Sequence, residues 1–112
     1  MIGIIGAMAQ EVALIASKIE EKEQRVIAGV EFTKGILSGK EVVLLQSGVG
    51  KVNAAMATTL LHEHFHPSAV INIGSAGGLI NNMEIGDIII STAMLHPDVD
   101  ATPIGCEMGE IP

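Results

Sequence analysis

Short apolar runs constrain the fold of this chain more than any other feature of its sequence. Their side chains are mostly aliphatic on both alternating sides. The runs are Ile2 to Ile5, Val42 to Leu45, Ala69 to Ile73 and Ile88 to Ile90. A strand that is apolar on both sides is covered on both faces, as the strands of parallel sheets are. We therefore predict an α/β fold with a mixed, largely parallel central sheet flanked by helices.

Helical periodicity predicts the layers that cover this sheet. The helical segments are Ala9 to Glu21 and Lys51 to His66, and Pro67 ends the second. The apolar stripe predicted for the first helix consists of Val12, Ile15, Ala16 and Ile19. The stripe predicted for the second helix consists of Val52, Ala55, Met56, Thr59 and Leu60.

A hairpin is predicted between the first helix and the second apolar run. Its strands are Arg25 to Val30 and Glu31 to Leu37, with Gly29 near the turn. No repeat, linker or low-complexity tract interrupts the sequence. Residues 1–112 are therefore expected to lie in one domain without an internal boundary.

Charge and composition exclude several kinds of partner. The 112 residues have a formal net charge of −7, with Arg25 and five lysines as the only Lys or Arg side chains. Nucleic acids and anionic membranes are bound by clusters of such side chains, and no run approaches the roughly 18 apolar residues of a membrane span. We expect neither partner. Because Cys106 is the single cysteine, no internal disulfide can form, and we expect a cytoplasmic location.

The segment from His62 to His66 reads H-E-x-x-H, the pattern that places two zinc-binding histidines on one face of a helix. Pro67 follows at once, so the motif occupies the last turn, where partly positive side chains are favourable. We interpret it as an exposed helix end and expect neither a metal nor a cofactor. A zinc hydrolase acting through His62 and His66 is a remote alternative.

Glycine-rich turns follow three of the predicted strands. They are Gly6 to Met8, Ser47 to Lys51, and Gly74 to Gly78. The second matches neither a P-loop nor a dinucleotide fingerprint. The carboxyl ends of parallel strands meet at one edge of a sheet, where α/β proteins bind ligands. We expect these turns to form a pocket beside Glu11, although Glu11 alone is better explained as an acid that complements the helix dipole.

Four ordered motifs resemble one known family. They read IGIIGAMAQEV, QSGVGKVNAA, NIGSAGGL and GDIIIS. They are similar to the amino-terminal half of the 5'-methylthioadenosine/S-adenosylhomocysteine nucleosidases, members of the purine nucleoside phosphorylase superfamily, from Met1 to Pro112. The resemblance implies a phosphorylase-like fold and hydrolysis of the N-glycosidic bond of 5'-thio-substituted adenosines, giving adenine and a thioribose. It also implies a homodimer.

The resemblance assigns roles to residues of the three turns. Glu11 falls on the family's water-activating glutamate. This role suits the reaction, because an oxocarbenium-like sugar requires an activated water and a protonated leaving group. Met8 and Val49 fall on positions that line the 5'-alkylthio pocket. Three residues fall on the turn beside the bound nucleoside, namely Ser75, Ala76 and Gly77.

Further positions matched by the resemblance lie near the end of the sequence. Ile104 and Pro112 fall where the family closes the pocket of the partner subunit, although Pro103 departs from the family's pattern. Within the superfamily, a phosphorylase would need arginines to hold phosphate. The one arginine, Arg25, lies in the predicted hairpin, away from every glycine-rich turn, which favours a hydrolase.

The resemblance covers about half of a family subunit, so the fold is expected to be incomplete. The family's adenine-protonating aspartate, its ribose-binding Met-Glu pair and its base-stacking aromatic are not found among the 112 residues. We therefore expect no turnover from this chain alone, because protonation of the leaving group is typically worth about 10² to 10⁴ in rate. A non-catalytic adenosine-binding or assembly module is the main alternative.

Overall fold

One five-stranded sheet organises the first part of the computed structural model, which describes residues 1–111. The chain divides into two compact units, Met1–Gly77 and Gly78–Pro112. The elements of the first unit follow in chain order: β1 (Ile2–Gly6), α1 (Ala9–Lys18), β2 (Glu20–Ile27), β3 (Val30–Leu37), β4 (Lys40–Gln46), α2 (Lys51–Phe65) and β5 (Ala69–Ile73). The second unit contains a short 3-10 helix, Thr102–Ile104.

The sheet is mixed, with the strand order β2-β3-β4-β1-β5. β1 pairs in parallel with β4 and β5, whereas β2, β3 and β4 pair antiparallel in sequence. Gly6, the last residue of β1, lies opposite Gln46 of β4 and Ile73 of β5. The carboxyl ends of the three parallel strands are therefore level. The predicted α/β fold with a mixed central sheet is confirmed.

Two apolar cores cover the two faces of the sheet. Val12 and Ile19 pack on one face against Ile4, Val42 and Leu44, with Ile15 and Ala16 partly buried beside them. Ala57 and Leu61 of α2 pack on the other face, and the residues they join there are Ile5, Val30, Phe32, Val43 and Leu45. The alternating residues of β1 and β4 thus enter opposite cores, which explains why these strands are apolar throughout.

Two elements of the first unit differ from their predicted bounds by three residues or more. α1 ends at Lys18 and not at Glu21, because Ile19 is extended and 4% exposed in the core. β2 begins at Glu20 and not at Arg25, and almost all of its residues are exposed. This strand lies at an edge of the sheet, where charged side chains hinder pairing with other chains. Because neither of its faces is buried, it has no hydrophobic alternation for a sequence pattern to reveal.

The apolar stripe predicted for α2 is wrong except at Leu60, which is partly buried against the core. The fully buried side chains of this helix are Ala57 and Leu61, with Phe65 partly buried and stacked on Phe32 at a ring-centroid distance of 4.9 Å. Val52 is 84% exposed. Small residues recur on several sides of the helix, so apolar spacing alone does not show which side the sheet covers.

The strand predicted at Ile88 to Ile90 is not formed. In the part of the chain that the structure describes, these residues pair with no strand, and Ile88 and Ile90 are almost fully exposed. A β-strand obtains its backbone hydrogen bonds from a neighbour, which a local aliphatic run cannot supply. None of the helices within residues 1–111 is long and apolar enough to cross a membrane.

Candidate functional site at the carboxyl ends of the parallel strands

Glu11, the third residue of α1, has a carboxylate that accepts hydrogen bonds from two separate turns. Its Oε2 atom accepts the backbone N–H groups of Ala7 at 3.0 Å and Met8 at 2.9 Å. Its Oε1 atom accepts the backbone N–H of Ser75 at 3.1 Å and the Ser75 hydroxyl at 3.3 Å. The carboxylate thus ties the turn after β1 to the turn after β5, which lies 64 residues further along the chain.

These donors hold the pKa of Glu11 below its ordinary value. The backbone N–H of Ser75 contributes most, and that of Met8 comes next. The Ala7 N–H and the Ser75 hydroxyl lower the pKa less, while partial desolvation opposes all of them. Hydrogen bonds that favour a carboxylate over its acid form have this effect generally. The side chain is therefore ionised at neutral pH, the form that can take a proton from water.

Two glycines allow the close approach of these turns. A Cβ atom on Gly74 would lie 3.1 Å from Oε1 of Glu11. A Cβ atom on Gly6 would lie 2.7 Å from Cγ1 of Val12. Any larger residue at Gly6 would displace α1, and one at Gly74 would press on the carboxylate. The glycines at both strand ends are thus explained by packing against Glu11 and its helix.

Ser47 joins the turn after β4 to the turn after β1. Its backbone N–H donates to the Gly6 carbonyl at 2.9 Å. Its buried hydroxyl donates to the Gly48 carbonyl at 2.9 Å and lies 3.4 Å from the Gly6 carbonyl oxygen. The turns after β1, β4 and β5 therefore meet at one edge of the sheet. Their expected convergence beside Glu11 is found in Met1–Gly77.

The predicted pocket residues differ in burial and in hydrogen bonding. Met8 is half-buried and is the residue before α1, whereas Val49 is 68% exposed in the turn before α2. Ser75 bonds to Glu11, and Ala76 and Gly77 are exposed. Nothing lies within 4 Å of the position that a Cβ on Gly77 would take.

Sequence reasoning missed three contributors to this edge. The backbone N–H of Ala7 was not anticipated as a donor to Glu11. Ser47 is 8% exposed and links two turns, and the side chain of Asn53 donates to the Val49 carbonyl at 2.7 Å. A polar residue directly after a buried strand and an asparagine in the first turn of a helix are the signals that point to the latter two.

The whole chain, residues 1–112, matches the model of one protein family, described as the phosphorylase superfamily. The chain belongs to this superfamily. Among curated relatives, a 5'-methylthioadenosine/S-adenosylhomocysteine nucleosidase of Geobacillus kaustophilus is 56% identical over 109 residues, which are 97% of this chain and 46% of the relative. A nucleosidase of the same name from Bacillus cereus strain B4264 is 52% identical over 111 residues, 99% of this chain and 48% of the relative.

Solved structures of this superfamily agree closely with the fold. A 5'-methylthioadenosine/S-adenosylhomocysteine nucleosidase from Colwellia psychrerythraea, in complex with adenine, has a TM-score of 0.95 and 44% identity, covering 99% of this chain and 46% of that one. The enzyme from Neisseria meningitidis, in complex with methylthio-immucillin-A, has a TM-score of 0.94 and 41% identity, covering 99% and 48%. The chain spans about half the length of the curated relatives it matches.

The superfamily's alternative chemistry, phosphorolysis, would require a cationic phosphate site. Arg25 is exposed on β2, which β3 and β4 separate from β1. Arg25 therefore lies on a strand that is not a neighbour of β1, the strand that leads to Glu11. Among residues 1–111, no arginine lies on β1 or on a strand that pairs with it.

The histidine-rich motif occupies the exposed end of α2. His66 has left-handed backbone angles and caps the helix, its N–H donating to the His62 carbonyl. Across the described residues, no three His, Cys, Asp or Glu side chains are placed to share a metal ion. The zinc-hydrolase alternative gains no support from this geometry.

Ile104, one of the two residues predicted to close a partner's pocket, lies outside the sheet. Ile104 ends the 3-10 helix of the second unit and is 71% exposed. Pro112 lies outside the described residues. Their assignment to a pocket stays a prediction.

Proposed function

We propose that this chain supplies the water-activating part of a nucleosidase that cleaves 5'-methylthioadenosine and S-adenosylhomocysteine to adenine and a thioribose. The observation that carries the proposal is the ionised Glu11 carboxylate, held by donors from two glycine-rich turns at the carboxyl edge of the sheet. The similarity to nucleosidases across 97 to 99% of this chain supports it.

In the proposed reaction, Glu11 acts as the general base. The oxygen of a water molecule forms a bond to the anomeric carbon while the bond to the adenine nitrogen breaks, and Glu11 takes a proton from the water. The bonding electrons leave with adenine, which is protonated by an acid that we do not find among these residues. An ionised carboxylate has about four acceptor positions, so the water replaces one of the four donors. The Ser75 hydroxyl suits this exchange, because it is the longest of the four bonds and can rotate away.

The other predicted residues would bind substrate. Met8 and Val49 offer apolar side chains to the 5'-alkylthio group, whose thioether favours such a lining. Ser75, Ala76 and Gly77 would lie beside the nucleoside, where an open backbone allows close approach. The position of Arg25 on β2 favours water over phosphate as the nucleophile.

We also propose a cytoplasmic homodimer in which Ile104 and Pro112 close the pocket of the partner subunit. The single cysteine and the resemblance to the nucleosidase family support this assignment. Analytical ultracentrifugation of the assembled enzyme would show twice the mass of one chain. A monomer that retains full activity would contradict the shared pocket.

A chimera tests the proposed activity. Residues 1–112 are joined to the segment that follows the matched region in the Geobacillus kaustophilus relative, and adenine release from 5'-methylthioadenosine is measured. The parent chimera should be active, and Glu11→Gln should lower kcat by about 10² to 10⁴, as loss of a general base does. Glu63→Gln, a matched change on the exposed side of α2, should leave kcat unchanged.

Two further measurements separate the alternatives. The 112-residue chain alone should release no adenine. If it does, the expected need for an acid outside these residues is wrong. If the folded chimera binds methylthioadenosine in a titration but does not cleave it, a non-catalytic adenosine-binding module replaces the nucleosidase.

A further inference from the structure

We propose that Asn53 is a positioning residue for the 5'-substituent of the substrate, acting through the turn that carries Val49. The proposal rests on the proposed function, because it assumes that Val49 contacts this substituent. Asn53 is the third residue of α2, and its Nδ2 atom donates to the Val49 carbonyl at 2.7 Å. The side chain thus reaches back from the helix to the turn that precedes it.

The turn needs such a restraint because of its composition. Gly48 and Gly50 on either side of Val49 both have positive φ angles, of 83° and 98°. Glycine enters this region without steric cost and leaves it as easily. The Val49 side chain is 68% exposed, so packing does little to hold it. The orientation of the peptide group between Val49 and Gly50 therefore depends strongly on the bond to its carbonyl oxygen.

Asn53 also packs against the start of the turn. A Cβ atom on Gly48 would lie 3.3 Å from the Asn53 Nδ2 atom, so the amide group lies directly beside this glycine. Ser47 restrains the same segment from the other end through the Gly48 carbonyl. Gly50, which precedes the helix, has no side chain to cap it. Asn53 instead holds the turn before the helix, by donating to the Val49 carbonyl.

The expected consequence is selective. Loss of the Asn53 bond lets the Val49 peptide rotate, which weakens binding of the alkylthio group. It leaves Glu11 and its donors Ala7, Met8 and Ser75 in place, because none of them bonds to Asn53. The change should therefore appear in KM for thioether substrates and not in kcat.

The experiment compares substrates in the chimera described above. Asn53→Ala should raise KM for 5'-methylthioadenosine by about fivefold, the effect of losing one neutral hydrogen bond, with kcat unchanged. KM for 5'-deoxyadenosine, which lacks the thioether, should change much less. Asn53→Asp has the same shape but cannot donate, and its charge repels the Val49 carbonyl oxygen, so it should raise this KM at least as much as Asn53→Ala. Asn53→Gln restores an amide donor and should recover part of the affinity.

A loss of stability would not explain a KM change that is confined to the thioether substrate. Alanine is a better helix former than asparagine, and an aspartate in the first turn complements the helix dipole, so neither variant should lower the melting temperature. Thr59→Ala is the matched control, since it removes a bond of the same i to i−4 kind, from the Thr59 hydroxyl to the Ala55 carbonyl at 2.9 Å. It should leave both KM values unchanged.

The outcomes distinguish this proposal from the function on which it rests. An active parent whose Asn53 variants show parental KM values, or equal KM increases for both substrates, would overturn the role of Asn53 and leave the nucleosidase standing. A folded parent that cleaves neither substrate would overturn both. If the chimera does not fold, the two segments co-expressed as separate chains provide the same comparison.

Discussion

Residues 1–77 and residues 78–111 contain similar aliphatic side chains and use them differently. In the first region, Phe32, Val43 and Leu61 are completely buried between the sheet and α2. In the second, Leu79 and Ile88 are almost fully exposed, and local turns such as His96 to Val99 supply the backbone hydrogen bonds. An aliphatic run becomes part of a core only where a second element covers it. Ile2 to Ile5 has two parallel neighbours, whereas Ile88 to Ile90 has none among the described residues.

The largest expected difference between the regions is in stability. Leu61→Ala should lower the free energy of unfolding by about 2 to 5 kcal/mol, because it empties a fully enclosed position. Ile89→Ala, at a mostly exposed position, should change it by less than about 0.5 kcal/mol. Urea unfolding of the 112-residue chain measures both. Equal losses would mean that the second region has a core of its own around Ile89.

Two glycine substitutions, one in each region, compare how firmly the two regions are packed. An alanine at Gly74 would press on the carboxylate of Glu11, and one at Gly78 would come within 3.3 Å of the Met83 sulfur. The carboxylate is held by four donors, whereas a methionine side chain adapts. Gly74→Ala should therefore cost about 1 kcal/mol of stability, the value of one hydrogen bond, and Gly78→Ala should cost less. The reverse order in urea unfolding would contradict a fixed carboxylate.

Two carboxylates with lowered pKa values provide a third contrast. The largest cause for Glu11 is the Ser75 backbone N–H, and for Asp100 it is the Thr102 side chain, whose hydroxyl lies 2.6 Å away. Thr102→Val should therefore raise the pKa of Asp100, because it removes the largest cause and leaves only the Thr102 backbone N–H. Ser75→Ala keeps the main donor and should raise the pKa of Glu11 only slightly. Carbon-13 titration of the side-chain carboxyls would show the order, and a larger rise for Glu11 would contradict it.

The direction of these two pKa shifts determines how the stability of the fold changes with pH. Both groups have a lower pKa folded than unfolded, so each stabilises the fold above its unfolded pKa. That contribution is lost as the pH falls through the folded pKa. In the proposed reaction, Glu11 remains a base until the pH falls below the ordinary range for glutamate. A Ser75→Ala chimera should lose activity at slightly higher pH on the acidic side than its parent.

The smallest expected effect is on the surface of the first region. Lys34 and Glu41 form an ion pair of 2.9 Å between β3 and β4, with both side chains well exposed. Lys34→Ala should cost little stability, as the loss of an exposed ion pair generally does. The cost should shrink further in 1 M salt, because the pair is screened. A cost that salt does not alter would show that packing by the lysine stem, and not charge, is responsible.

Much of the fold could be predicted where buried apolar side chains recur at a regular spacing in the sequence. β1 and β4 are apolar on both sides and are buried in the two cores, and Val12 and Ile15 of α1 recur at helical spacing, so these elements and their layering were predicted correctly. β5 was also predicted from its apolar run, although it is an edge strand whose residues are mostly exposed. β2 has no buried face and was only partly recognised. The buried side of α2 was predicted wrongly, since Ala57 and Leu61 differ little in sequence context from the exposed alanines around them.

The sequence predicted which turns form the candidate site. It did not predict the hydrogen bonds that join them. Glycine-rich segments after three strands indicated where the chain would approach itself closely, and Glu11 was identified beside them. No local pattern indicates that Ser75 would donate to Glu11, because the two residues are 64 positions apart. The contribution of Asn53 is similarly hidden, since it depends on how the turn before α2 folds back.

The sequence by itself determined the α/β character, the acidic surface and the glycine-rich strand ends, because each follows from local composition and spacing. Tertiary structure alone decided which strands pair, which side of α2 is buried, and that the run Ile88 to Ile90 forms no strand in residues 1–111. It also decided the environment of Glu11, whose pKa is lowered by donors from the turn just before α1 and from a turn 64 residues away. Hydrogen bonds and burial depend on neighbours in space, and adjacent residues in sequence do not specify those neighbours.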